Sequence, residues 1–211
     1  MFACLTIISR LQSTGIGNGQ VFRQIAPVVE IGLGVGPVGL SLSNTISERE
    51  KFGVERSRKA VHDWVQKADL QPASNASPDQ VAVDETVIRI NGQQFWLYAA
   101  VDPKTNEFLH LRLYTTTTTA LTERFLRELR EKHDVEDAVF LVDHAKHLAA
   151  ALRRSGLRFQ AVRHGNRNAV ERVFREVKRR TSSFSNSFSH VDPATAETWL
   201  QAFAVWWNSL N

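Results

Sequence analysis

Cysteine is all but missing: Cys4 is the only one among 211 residues. That excludes an intramolecular disulfide and a thiolate zinc cluster, and it suits a reducing, cytoplasmic setting. Long apolar runs are missing as well. Nothing approaches the roughly 18 consecutive apolar residues that a bilayer span requires, so no membrane partner is expected. Residues 1–9 are apolar but short, lack preceding basic residues and are ended by Arg10, which makes a poor signal peptide. No serine, histidine and aspartate set occupies a nucleophile turn. Gly34-Val-Gly-Pro-Val-Gly39 has the spacing of a dinucleotide loop. It is rejected because Pro37 removes an amide from that loop and no second strand with a ribose-binding acid follows.

What is present is an ordinary globular composition with a basic balance. The apolar fraction is 43%, enough for a real core. Lys and Arg number 26 against 22 Asp and Glu, for a net charge of +4 and a sequence pI near 9.5. That excess points toward a polyanionic partner.

Four segments follow from the patterning. Residues 1–38 are glycine-rich, without a sustained period. Residues 39–70 read as two short amphipathic helices joined through Phe52-Gly53-Val54, with Ser57 as N-cap of the second, the outline of a helix-turn-helix. Arg56, Arg58 and Lys59 then open the second helix, where a recognition helix meets bases and phosphates. Residues 71–79, with two prolines and small polar residues, read as a linker.

From residue 80 the period changes to that of strands. Residues 81–90 are apolar on both faces, as in a central strand. Asn91-Gly92 signals a hairpin into 94–101, and a turn at 102–106 leads to 108–114. A helix marked by Leu121, Phe125, Leu126 and Leu129 follows. Then come a short buried strand at 138–142, a helix ended by Gly156, a strand at 157–162, a helix from about Val170 and a final helix marked by Trp199, Phe203, Trp206 and Trp207. Three antiparallel strands followed by alternating helix and strand give an α/β sheet with flanking helices.

Two aspartates and a glutamate stand out within that scheme. Asp84 lies inside an otherwise apolar strand, where a carboxylate is costly unless it is paired or binds a cation. Asp143 directly follows Ala138-Val-Phe-Leu-Val142, at the carboxyl end of a buried strand, where sites of α/β sheets gather. Glu171, Arg175 and Lys178 fall at i, i+4 and i+7 on one helix face. Between residues 163 and 180 there are seven cations, Arg167 among them, against Glu171 and Glu176. Three hard oxygen donors suit Mg²⁺ or Mn²⁺ and not zinc. A pair of such ions activates a water or hydroxyl and stabilises the leaving oxygen of phosphoryl transfer, while neighbouring cations hold a nucleic-acid backbone. His144 and His147, three apart beside Asp143, suggest a transition-metal site only weakly, with His147 read as facing solvent.

Val83-Asp-Glu-Thr86, Leu141-Val-Asp-His144 and the run from Arg163-His-Gly-Asn-Arg-Asn-Ala-Val-Glu171 to Lys178 resemble, in that order, the core of DDE transposases. The nearest likeness is to the insertion-sequence-six family, particularly its haloarchaeal members. It extends from about Leu40 to the C-terminus through Phe52-Gly-Val54, Val61-His-Asp-Trp-Val65, Tyr98-Ala-Ala-Val-Asp-Pro103 and Lys178-Arg-Arg-Thr-Ser-Ser-Phe184.

The resemblance implies a ribonuclease-H-like mixed sheet at 80–211, preceded by the helix-turn-helix. It implies Asp84, Asp143 and Glu171 as catalytic metal ligands for two ions, with Asp84 bridging, and Lys178 beside the DNA end. The implied reaction is strand cleavage by water followed by 3′-hydroxyl attack on target DNA. The implied partners are terminal inverted repeats, target DNA and further copies of the chain, in a dimer or larger assembly. Residues 1–38 and His144 depart from the family pattern. The second function compatible with the sequence is a decayed, inactive transposase that only binds DNA; a third is a nuclease of the same fold that cuts without joining.

Overall fold

The computed structural model describes residues 57–68, 70–162, 168–182, 188 and 190–208. The chain divides into two compact units, one of Pro72–Glu197 and one of Met1–Gln71 with Thr198–Leu210.

In the first of these units, β1 (Gln80–Ile90), β2 (Gln93–Asp102) and β3 (Glu107–Tyr114) form an antiparallel meander. The β1–β2 turn is Asn91-Gly92, with φ of 52° and 77°; a two-residue hairpin turn of this kind requires positive φ at both positions. At the next turn the Asn106 amide donates to the Asp102 carbonyl at 2.8 Å, and the Lys104 amide to Asp102 Oδ1 at 2.8 Å. Asp102 therefore serves the turn, as its position suggested.

Helix α2 (Thr119–Lys132) is capped by Thr118, whose Oγ1 accepts from the Leu121 amide at 3.2 Å. Strand β4 (Val139–Val142) leads to α3 (Lys146–Arg154) and then to β5 (Phe159–Ala161). Gly156, at φ 70°, ends α3. Its amide donates to the Arg153 carbonyl at 3.2 Å while the Leu157 amide reaches the Leu152 carbonyl at 3.0 Å, the paired bonds of a Schellman cap. Helices α4 (Asn168–Ser182) and α5 (Pro193–Asn208) complete the described elements.

The five strands lie in the order β3-β2-β1-β4-β5, with β4 parallel to both β1 and β5. This is the ribonuclease-H-like mixed sheet, and β1 is its central strand. One face of the sheet (Val81, Val83, Tyr98, Ala100, Phe140, Val142) packs on Phe125, Leu126 and Leu129 of α2 and on Leu148, Ala151 and Leu152 of α3. Each fully buried Leu or Phe there contributes about 1.5–3 kcal/mol. Helix α4 packs on β1 and β2 and buries Val170, Val173 and Val177. Those three residues recur at a three- and then a four-residue step, the period of a helix with one buried face. Because strand side chains alternate, the β1 face left for α4 is that of Ala82, Asp84, Thr86 and Ile88.

The stretch read as a linker is hydrogen-bonded along part of its length. The Asn75 amide donates to the Lys132 carbonyl at 2.7 Å, and the Asp134 amide to the Ala76 carbonyl at 2.9 Å. His133, buried at the end of α2, accepts from the Ala76 amide at 3.2 Å, and its Nε2 lies 2.9 Å from the Leu109 carbonyl. One imidazole thus ties segment 75–77, α2 and β3 together.

In the other unit, α1 (Arg58–Ala68) begins after Ser57, whose Oγ accepts from the Ala60 amide at 3.2 Å. The partner helix expected before it, and Arg56, lie outside the described residues. Trp199 and Phe203 stack on α5 with centroids 5.9 Å apart. Phe203 and Trp206 are buried, as core aromatics are.

Candidate active site

Asp84 sits at the middle of β1, opposite Ala99 of β2, and is 8% exposed. Its Oδ1 accepts from the Glu85 amide at 2.9 Å. Asp143 is the first residue after β4 and half-buried. Its Oδ1 accepts from the Ala145 amide at 2.7 Å, a bond across two residues that turns the chain from strand into α3.

The parallel ladder pairs Gln80 with Val139, Val81 with Phe140 and Ala82 with Leu141. Asp84 and Asp143 are as far apart in sequence as each of those pairs. The ladder ends at Ala82 and Leu141, two residues before both aspartates. Asp84 lies on the sheet face of Ala82, and Asp143 follows directly on the strand whose Leu141 shares that face.

Glu171 occupies the first turn of α4 and is exposed. A carboxylate there is favoured by the positive end of the helix dipole. The fold thus sets Asp84 on β1, Asp143 just after the adjoining β4, and Glu171 on the helix that packs on β1 and β2. Among the described residues, no three His, Cys, Asp or Glu side chains are gathered closely enough to hold a metal ion. In chemistry alone, three carboxylates offer the all-oxygen donor set that a hard divalent cation takes.

Of the cations singled out, Arg175 and Lys178 are exposed on α4, on successive turns beyond Glu171. Lys59 is exposed on α1 and its Nζ lies 2.7 Å from Asp63. Arg58 opens α1. Arg56 and Arg167 fall outside the described residues.

Two features escaped the sequence reading. Glu85 points to the opposite face of β1 from Asp84, and its Oε1 lies 3.1 Å from His147 Nε2. His147 is accordingly half-buried, not solvent-facing, and its ring packs edge-on to Tyr98 with centroids 6.3 Å apart. Burial lowers the His147 pKa, against the opposing charge of Asp143. Burial, with a smaller effect of Glu85, pushes the Tyr98 hydroxyl up to about 12. The available signal was a second acid in an apolar strand.

The other missed feature is an ion network at β3. Arg112 Nε meets Glu128 Oε2 at 2.6 Å, Arg124 Nε meets Glu128 Oε1 at 3.0 Å, and His110 Nε2 lies 3.2 Å from Glu128. Although burial opposes it, bonding to Arg112 and Arg124 holds the Glu128 carboxyl at about 2.

The five-stranded mixed sheet with its flanking helices defines a ribonuclease-H-like core. Residues 78–208 match a family profile described as "DDE domain". The chain belongs to that family, the DDE transposases. It is 29% identical over 175 residues to the uncharacterised protein MJ0017 of Methanocaldococcus jannaschii, covering 81% of this chain and 80% of that one.

Among solved structures it is similar to a chain of the simian T-cell lymphotropic virus intasome in complex with PP2A regulatory subunit B56 gamma, with TM-score 0.46 and 11% identity. That match covers 76% of this chain, which spans 63% of the length of the intasome chain. It is also similar to the HTLV-2 integrase catalytic core domain in complex with magnesium, with TM-score 0.44 and 10% identity, covering 61% of this chain and 86% of that one. No helix among the described residues is long and apolar enough to cross a membrane.

Proposed function

We propose that this chain is a DNA transposase that cleaves the ends of an insertion sequence and joins the freed 3′-hydroxyl to target DNA. Asp84, Asp143 and Glu171 are its catalytic carboxylates. The observation that carries this reading is the parallel pairing of β1 with β4, with Asp84 and Asp143 each two residues beyond its last pair, Ala82 and Leu141. Membership of the DDE-domain family supports it.

In this reading, Asp84, Asp143 and Glu171 hold two Mg²⁺ or Mn²⁺ ions. When bound, these supply activation of water or a 3′-hydroxyl and charge neutralisation at the scissile phosphate. The chain's own contributions are positional. Strand β1 fixes Asp84 in an apolar setting, where its charge is poorly screened. The Ala145 amide fixes the Asp143 carboxylate. Arg175 and Lys178, on α4 beyond Glu171, take the DNA backbone close to the reacting phosphate, with Arg167 preceding the helix. Arg56, Arg58 and Lys59 bind the terminal inverted repeats, and two or more copies act on paired ends. The likeness to the insertion-sequence-six family and its haloarchaeal members belongs to this reading, as does a cytoplasmic location.

The test is a strand-transfer assay with labelled DNA carrying the sequences that flank the coding region, Mg²⁺ or Mn²⁺, and the wild-type protein beside Asp84→Asn. Joined products that disappear in the variant are expected. Binding without cleavage in both proteins would indicate a decayed copy that only binds DNA. Cleavage without joining would indicate a nuclease of the same fold.

A further inference from the structure

The two faces of the β1–β2–β3 meander are covered unequally. On the face of Ala82 and Asp84, burial continues to the ends of the strands through Leu97, Ile88, Phe95 and Ile90. On the reverse face α2 and α3 pack on Val81, Val83 and Tyr98, and the cover then thins. Val87, Trp96 and Tyr114, paired across β1, β2 and β3, are only half-buried. The next pair, Arg89 and Gln94, is exposed.

Trp96 lies at the centre of that row. It touches the core below it, yet among the described residues its ring stacks on no other ring and its indole N–H has no hydrogen-bond partner. A buried tryptophan ordinarily finds one. Arg89, about 7 Å further along β1, has no carboxylate partner among the described residues, whereas Arg124, Arg130 and Arg154 on α2 and α3 each meet a glutamate. Glu85, the one acid on this side of β1, has its side chain 9% exposed and lies against His147. The patch is therefore flat and apolar, with an aromatic ring at its centre and a cation at its rim. Its charge and shape complement a base and the phosphate attached to it.

We propose that this face is a stacking platform for an unpaired base of DNA, with Trp96 against the base and Arg89 on its phosphate. The choice of DNA rests on the function proposed above; the platform itself rests on the fold. Stacking on an aromatic side chain requires only the π-face that every base has. Bases inside a duplex are stacked on one another and offer Trp96 no free face. From Val83 to Ile90, β1 has no ladder partner on the side of β4. No strand closes the edge of β1 beside Asp84, and a single DNA strand can turn over that edge from the carboxylates to Trp96.

The probes are a blunt DNA duplex and the same duplex with a short thymidine tail, bound to the full chain without divalent metal so that no strand is cut. The wild-type protein should bind the tailed duplex more tightly than the blunt one. Trp96→Leu keeps an apolar side chain. It should weaken binding to the tailed duplex by about tenfold, the scale of one base–aromatic stack, and leave blunt binding unchanged. Trp96→Phe should restore most of that loss. Arg89→Gln should flatten the dependence of log affinity for the tailed duplex on log salt by about 0.7, the value of one single-strand phosphate. Iodouracil placed in the tail should crosslink to Trp96 of the wild type, a readout that needs no variant to fold.

Equal wild-type affinity for the two probes overturns the proposal, as does an equal loss on both in Trp96→Leu. A crosslink that maps away from this face overturns it as well. Self-association that Trp96→Leu abolishes while tail binding is kept would assign the face to a second copy of the chain instead. The outcome is separate from that of the function. A protein that crosslinks the tail through Trp96 but joins no ends keeps the platform and removes the transposase reading. A protein that joins ends and binds the tailed duplex equally well without Trp96 loses the platform alone.

Discussion

Asp84 and Asp143 each lie two residues beyond Ala82 and Leu141, the last pair of the parallel β1–β4 ladder. Each is held by a local amide, from Glu85 and from Ala145 respectively. Several expectations follow from this arrangement and from the packing around it.

Replacing either of the other two carboxylates tests the set. Asp143→Asn and Glu171→Gln should each lower DNA joining at least about a hundredfold, since divalent-ion stabilisation is worth several kcal/mol. Glu171 is exposed, so Glu171→Gln should cost no more than about 1 kcal/mol of stability, the scale of its helix-dipole interaction, while its loss of joining is far larger. Retained joining in Glu171→Gln would remove that residue from the set.

The exposed cations of α4 should act through phosphate. Arg175→Ala combined with Lys178→Ala is expected to weaken DNA binding uniformly across sequences. It should also flatten the dependence of log affinity on log salt by about two. A slope equal to that of the wild type would place the DNA elsewhere.

Acid should destabilise the unit of Pro72–Glu197 well before its carboxylates protonate. Burial, aided by Lys132 and Arg112 and opposed by Glu128, lowers His110 to about 4 from its ordinary 6.5. Burial also lowers His133. Both are neutral in the fold, so the unfolded chain binds more protons below pH 6.5. The stability they confer is complete above that pH and is lost progressively as pH falls toward 4. Glu128, held at about 2, adds its own loss only below its ordinary 4.5. Urea midpoints between pH 7.5 and 4.5 should fall steadily, and His110→Gln should flatten the slope. Equal slopes would assign the acid sensitivity to other groups.

Asn91 should matter beyond its turn. Its side-chain amide donates to the Val191 carbonyl at 2.8 Å, its Oδ1 accepts from the His190 amide, and its own amide donates to the Phe188 carbonyl at 3.2 Å. Asn91→Gly keeps the positive φ and loses the side-chain bonds, at a cost of about 1–2 kcal/mol. Asn91→Ala should lose roughly a further 1 kcal/mol, because alanine resists the left-handed region. Equal stability of the two variants, measured by chemical denaturation, would show that the φ of 52° is not the constraint.

The sequence by itself determined the elements of the unit of Pro72–Glu197. Alternating and continuous apolar runs marked β1 to β4 close to their observed limits, and Asn91-Gly92 and Gly156 marked positions where the backbone takes positive φ. The strand at 157–162 proved shorter, only Phe159–Ala161, because an edge strand with exposed residues carries little of the burial that gives a strand its pattern. Asp84 was legible as a site residue because a carboxylate inside an apolar strand has a physical cost that needs a compensating partner. Tertiary structure alone decided that β4 lies parallel against β1, with Asp84 and Asp143 each two residues beyond the last ladder pair. It alone also decided that His147 turns in to Glu85, and that Glu128 gathers Arg112, Arg124 and His110. Local periodicity records which face of an element is buried; it does not record which distant element covers that face, because pairings between remote segments are set by packing across the whole sheet.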